Sequence, residues 1–142
     1  MSMTRAQKIA RLKKVSLFAE LAPRAVASIA DLVTEIEYPA GRYIVRQGQV
    51  GTGFYLISRG RAKVVRSNNV IAHLGPGDFF GELSVLDQAP RMAHVQAEEP
   101  TTCLALASWD LTRLLERNPK VTIALLQVVA SRLRAGSDYH TH

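Results

Sequence analysis

A single cysteine, Cys103, stands among the 142 residues, and one thiol closes no intrachain disulfide and builds no cysteine zinc site or iron–sulfur cluster. Long apolar runs are missing too: none reaches the ~18–20 residues that cross a bilayer. The first twenty residues alternate basic and apolar with no uninterrupted apolar centre, which argues against a secretory signal. These absences together point to a cytoplasmic protein. Internal repeats, linkers and low-complexity segments are also lacking.

Acid is absent from residues 1–14, where Arg5, Lys8, Arg11, Lys13 and Lys14 all carry positive charge. The formal net charge of the chain is +6, so the remainder is close to neutral. One short basic helix without a reading element is a poor DNA-binding surface, and no DNA contact is expected. A solvated helix, or one that meets a partner, fits better. The length suits one domain with one core, and 47% hydrophobic with 21% charged residues is the balance of a folded globular chain.

Residues 5–14 set Ile9, Leu12 and Val15 on one side of a helix. Leu17, Phe18 and Leu21 form an apolar turn, and Pro23 opens a helix carrying Val26, Ile29, Ala30 and Val33. From Thr34 to Ser108 the texture changes. Short β-rich runs at 43–45, 54–58, 62–66, 70–74, 93–97 and 102–107 alternate with glycine-bearing turns, and Asn68-Asn69 is placed for a tight hairpin. Many short strands with regular turns predict an antiparallel barrel or jelly roll. Beyond it Ser108 is set to cap a helix with Asp110 in the first turn, and Asn118-Pro119 to start the last helix, running to about Arg134 with Gly136 as its stop. The expected division is 1–33 helical, 34–108 barrel, 109–135 helical and 136–142 tail, within one domain.

The segment Phe80–Val95, FGELSVLDQAPRMAHV, carries the chemistry. Gly81-Glu82-Leu83-Ser84 leaves a strand for a short helical turn, whose exposed N–H groups favour an anion. Gly81 permits close approach of a ligand to the backbone. Nine residues after Glu82 comes Arg91, whose planar fork matches a phosphate. Glu82 offers an acceptor that a ribose hydroxyl satisfies. An acid for sugar and an arginine for phosphate make a compact nucleotide site.

This segment resembles the phosphate-binding cassette of the cyclic-nucleotide-binding domain family. Upstream, IVRQGQVGTGFYLISRG (Ile44–Gly60) is similar to the family's glycine-rich barrel signature, and LGPGDFFGE (Leu74–Glu82) to its approach to the cassette. The resemblance covers nearly the whole chain and implies a double-stranded β-helix with N-terminal helices and two C-terminal ones. It implies that Glu82 takes the ribose 2′-hydroxyl and Arg91 the exocyclic phosphate oxygens, helped by backbone N–H groups around Ser84 and Met92, with Gly81, Leu83 and Ala93 also in the site. The ligand implied is cAMP, with cGMP as the alternative, and no metal, cofactor or catalytic residue. Met92 departs from the family, which usually has a small residue after the arginine. The last helix would close over the base, with Leu114 or Leu115 near the hinge.

The ordinary alternatives are also legible. Glu82 and Arg91 could form a surface ion pair worth at most ~1 kcal/mol. His73 and His94 sit in strand-like runs as hydrogen-bonded structural residues, His140 and His142 in a polar tail. Cys103 reads as a small buried residue and Trp109 as core packing. The last helix bears two stripes, Val121-Leu125-Val128-Arg132 and Ile123-Leu126-Ala130-Leu133, so it is buried twice or covers a site and meets a partner. A homodimer or parent-protein contact through it or through the basic helix is the expected partnership.

Overall fold

The computed structural model describes residues 2–51, 53–82, 86 and 90–135. The chain begins with α1 (Arg5–Lys13). The Thr4 hydroxyl accepts from the Gln7 N–H at 3.1 Å, and the Gln7 side chain accepts from the Thr4 N–H at 2.9 Å, a reciprocal cap that satisfies two otherwise orphaned donors. A 3₁₀ turn (Ser16–Phe18) leads to α2 (Pro23–Leu32), which opens on Pro23 as expected.

Eight strands follow: β1 (Thr34–Tyr38), β2 (Tyr43–Val45), β3 (Gly53–Arg59), β4 (Ala62–Arg66), β5 (Asn69–Leu74), β6 (Phe79–Phe80), β7 (His94–Ala97) and β8 (Thr101–Ala107). They form two four-stranded sheets, β1-β8-β3-β6 and β2-β7-β4-β5, paired antiparallel throughout. This is the expected jelly roll with helices before and after it. Ile57, Val64, Leu74, Phe80, Val95 and Cys103 fill the space between the sheets. The first sheet is buried on its other side too, where Phe54, Leu56, Phe79, Leu104 and Leu106 meet Leu12, Phe18, Val26 and Ile29. Side chains alternate faces along a strand, so Cys103 points to the opposite sheet and Leu104 to the helices. A leucine moved from water to such a place contributes about 1.5–3 kcal/mol.

The β4–β5 hairpin turns on Ser67 and Asn68, both left-handed (φ 51° and 66°). The turn is thus one residue earlier than the Asn68-Asn69 pair suggests: positive φ at both central positions marks a type I′ turn on Ser67 and Asn68, and Asn69 already pairs with Arg66.

Two helices close the chain, α3 (Ser108–Arg117) and α4 (Pro119–Ala135). Ser108 does not cap α3: it is the first helical residue, and Ala107 occupies the cap position without a side-chain bond, while Asp110 lies in the first turn. Nor does the Asn118 side chain cap α4. It turns back and donates to the Leu114 carbonyl at 2.9 Å, closing α3 instead. Trp109 is 66% exposed and packs in no core. On α4, Val121 and Leu125 are buried against the helical layer, whereas Ile123, Leu126 and Leu133 face solvent. Among the described residues no helix is long and apolar enough to cross a membrane. Gly136, His140 and His142 lie outside the described residues.

Candidate functional site

Strand β6 delivers the site. Phe79 and Phe80 are both buried and pair with Leu56 and Tyr55 of β3, so the chain leaving β6 is pressed against β3. Gly81 makes this possible. Its φ is +95°, and a Cβ there would lie 2.7 Å from the Gly53 carbonyl oxygen and 2.7 Å from Arg91 Nη1. Only glycine takes that backbone conformation without strain.

The next residue, Glu82, is 1% exposed. Its Oε1 accepts a hydrogen bond from Arg132 Nη1 on α4. Arg132 Nη2 donates to the Phe79 carbonyl at 2.9 Å, and its guanidinium lies 4.9 Å from the centre of the Phe79 ring. The other carboxylate oxygen, Oε2, is buried and has no hydrogen-bond partner among the described residues. Burial pushes the Glu82 carboxyl above its ordinary range; Arg132, the Glu82 amide and Arg91 pull it partly back. A buried acceptor without a donor is costly, so a hydroxyl brought to Oε2 gains more than the same hydroxyl at the surface.

Arg91 is also buried, at 7% exposure. Its Nη2 donates to the Gly53 carbonyl at 2.9 Å, and its guanidinium stands 5.9 Å from the Tyr55 ring centre. Tyr55 stacks in turn on Phe80. The main chain of Arg91 is clamped: its N–H donates to the Gln49 carbonyl at 2.7 Å, and its carbonyl accepts from the Gly48 N–H at 2.8 Å. Gly51 leaves the room that the guanidinium occupies, since a Cβ there would collide with Nη2. Burial lowers the Arg91 pKa, opposed by Tyr55 and Glu82. A guanidinium with five N–H donors and one described side-chain hydrogen bond keeps most of its capacity for an anion.

Glu82, Gly81 and Arg91 are therefore brought together. Ala93 is buried where β7 begins, while Met92 is 51% exposed. Leu83 and Ser84 lie outside the described residues. Sequence reasoning had placed Arg132 at the end of an apolar stripe without a role; a long cation continuing a buried row was the available signal. His73 bonds Glu98 at 2.6 Å and His94 accepts from a backbone N–H, so both are the hydrogen-bonded histidines expected. The Cys103 thiol, buried, is pushed up to about 12 and is no nucleophile at neutral pH.

The family model described as "Cyclic nucleotide-binding domain" matches residues 35–118. The chain is 37% identical over 128 residues to the cyclic AMP receptor protein of Thermus thermophilus, covering 87% of this chain and 59% of that one. It superposes on the regulatory domain of Toxoplasma gondii PKA crystallised with cAMP, with TM-score 0.81, 26% identity, and coverage of 89% of this chain and 50% of the other. It superposes equally, at TM-score 0.81 and 25% identity, on the regulatory subunit of a cAMP-independent protein kinase A from Trypanosoma brucei, covering 95% and 47%. The chain thus spans about half to three-fifths of the length of these proteins.

Proposed function

The chain belongs to the cyclic nucleotide-binding domain family, and we propose that it is a cytoplasmic cAMP receptor: one non-catalytic module that docks its nucleotide between Glu82 and Arg91. The observation that carries this function is the Glu82 carboxylate, held in the interior with Oε2 unbonded among the described residues. A ribose 2′-hydroxyl supplies the donor it lacks, and the cyclic phosphate, anionic at any physiological pH, meets the Arg91 fork. Gly81, Met92 and Ala93 complete the site among the described residues.

Both ligand-binding side chains are covered, so a nucleotide reaches them only as the surrounding chain rearranges. Arg132 ties α4 to Glu82, and a 610 Å³ cleft separates part of α4, from Ala124 to Arg132, from Leu17 and from Gly77 to Phe79. Ligand binding thereby shifts the population of α4 positions, with Leu114 or Leu115 near the hinge. The outward stripe Ile123-Leu126-Leu133, and the basic α1, are the surfaces through which a second copy or a parent protein receives the change.

The test is calorimetric titration with cAMP, cGMP and 2′-deoxy-cAMP. Expected are one site per chain and weaker binding of the deoxy analogue. That difference should disappear in Glu82→Ala, which forfeits ~1–3 kcal/mol with cAMP. Arg91→Ala should cost ~2–5 kcal/mol with either ligand. Met92 has no donor or strong acceptor for the guanine amino group, so cAMP should lead cGMP by roughly five- to a hundredfold. No heat with any cyclic nucleotide would place the chain with cAMP-independent proteins of the same fold.

A further inference from the structure

The turn that clamps Arg91 has a second anchor. Its residues Arg46–Gln49 close on themselves, the Gln49 N–H donating to the Arg46 carbonyl at 3.3 Å, and Gly48 sits at φ +88°. Two main-chain bonds join this turn to Arg91, one at Gly48 and one at Gln49. A third bond holds its near end: the Gln47 N–H donates to Nδ1 of His94 at 3.0 Å. The imidazole is set by Tyr43, whose ring lies 4.9 Å away and tilted, and the Arg46 guanidinium stands 4.6 Å from the centre of that same Tyr43 ring.

An imidazole nitrogen accepts a backbone N–H only while it carries no proton; protonated imidazole donates from both nitrogens. Protonation of His94 therefore turns an attractive contact with Gln47 into one N–H facing another. The charged and titratable groups on the elements packed around the ring are Tyr43 and Arg46 from β2 and its turn, and Lys63, which shares the outer face of β4 through the pairings Val65↔His94 and Lys63↔Gln96. None of these groups is an acid, so none of them compensates a charged His94. The turn would then lose its anchor at Gln47 and grip Arg91 less firmly.

From this geometry we propose that His94 is a positioning residue for the phosphate arginine, and that its protonation weakens nucleotide binding by releasing the 46–49 turn. The inference rests on the cAMP-receptor function argued above and adds to it a response to acid. It differs from any effect of Glu82, because Glu82 reads the sugar hydroxyl and His94 acts on the phosphate side.

The experiment is calorimetric titration of the full chain with cAMP and with 2′-deoxy-cAMP between pH 7.5 and pH 5.5, for wild type, His94→Asn and His94→Phe. Loss of one such bond predicts that wild type weakens roughly three- to tenfold toward acid, and equally for both ligands. His94→Asn keeps an acceptor oxygen near the Nδ1 position that takes up no proton, so its acid loss should be much smaller. His94→Phe has no acceptor and should bind at pH 7.5 about as weakly as wild type does at pH 5.5, with a flat profile. Wild-type affinity independent of pH, or an acid loss retained in His94→Asn, overturns the inference and leaves the receptor function standing. A loss confined to cAMP assigns the effect to Glu82 and also overturns it. If His94→Phe fails to fold, the comparison of His94→Asn with wild type still decides. No binding by wild type at any pH removes the receptor function and this inference together.

Discussion

Gly51 and Gly81 both face Arg91, but for different reasons, and the difference is measurable. Gly81 is left-handed, and a side chain there meets the backbone of β3 as well as the guanidinium; alanine at this position strains the fold itself, at about 1–3 kcal/mol. Gly51 has no positive φ, and what a methyl group would strike is the far end of one flexible side chain. Gly51→Ala should therefore melt within a degree or two of wild type yet bind cAMP at least roughly tenfold more weakly, because Arg91 must leave its place against Gly53. Thermal unfolding and titration on the same sample check this. A large fall in melting temperature, or unchanged affinity, would show that Gly51 does not shape the arginine site. At this scale Glu82 and Arg91 were legible from nine-residue spacing within one segment. Arg132 was not, since it lies fifty residues from Glu82 and only the packing of α4 joins them.

Helix α4 is the element that links the site to the rest of the chain. Glu82 sits in a buried place, with its carboxyl pushed up by burial and drawn back chiefly by Arg132. A raised carboxyl favours the folded state at low pH, and that contribution is lost as pH rises through the folded-state value. Arg132 limits the loss. Arg132→Met should thus destabilise the nucleotide-free protein at pH 7.5 by about 1–3 kcal/mol, below the 3–5 kcal/mol of a wholly buried pair because Arg132 keeps some contact with water. At pH 4.5 the deficit should shrink, since protonated Glu82 needs no cation. Urea unfolding at the two pH values checks the sign, and an equal deficit at both would mean that contacts of Arg132 other than the one with Glu82, such as its bond to the Phe79 carbonyl and its place over the Phe79 ring, carry its effect. Apolar periodicity made the helices and most strands readable. Strand β1 escaped because Glu35 and Glu37 interrupt it, with no side chain in the 34–38 run fully buried. The caps at Ser108 and Asn118 escaped because residue type does not say which of two adjoining helix ends a side chain will serve: Asn118 stands between the last carbonyls of α3 and the first amides of α4, and its amide chose the carbonyl.

Across the whole molecule, β6 is the joint between the two cores. Phe79 faces the helical layer with Val121 and Leu125, and Phe80 faces the space between the sheets with Ile57 and Val95. The first residue of the proposed site follows immediately, so a ligand docked at Glu82 would bear on both layers at once, and its binding free energy should appear as stability of the entire fold. The jelly roll was readable from the alternation of short strands and glycine turns, but this double burial was not, because it depends on which face of β6 meets which layer. With free cAMP at a hundred times its dissociation constant, binding to the folded state alone contributes about 2.7 kcal/mol. For a chain of this size, each kcal/mol raises the melting temperature by about 2–4 °C, so the midpoint should rise by roughly 5–10 °C in one cooperative step. The same concentration of cGMP should give a smaller rise, in proportion to the logarithm of its weaker affinity, and Arg91→Ala should give almost none. Differential scanning calorimetry distinguishes this from local tightening. A domain in which nucleotide stiffens only the cassette would unfold in two steps, with the helices melting at an unchanged temperature. Joint stabilisation requires that the helices and the barrel share the peak that moves.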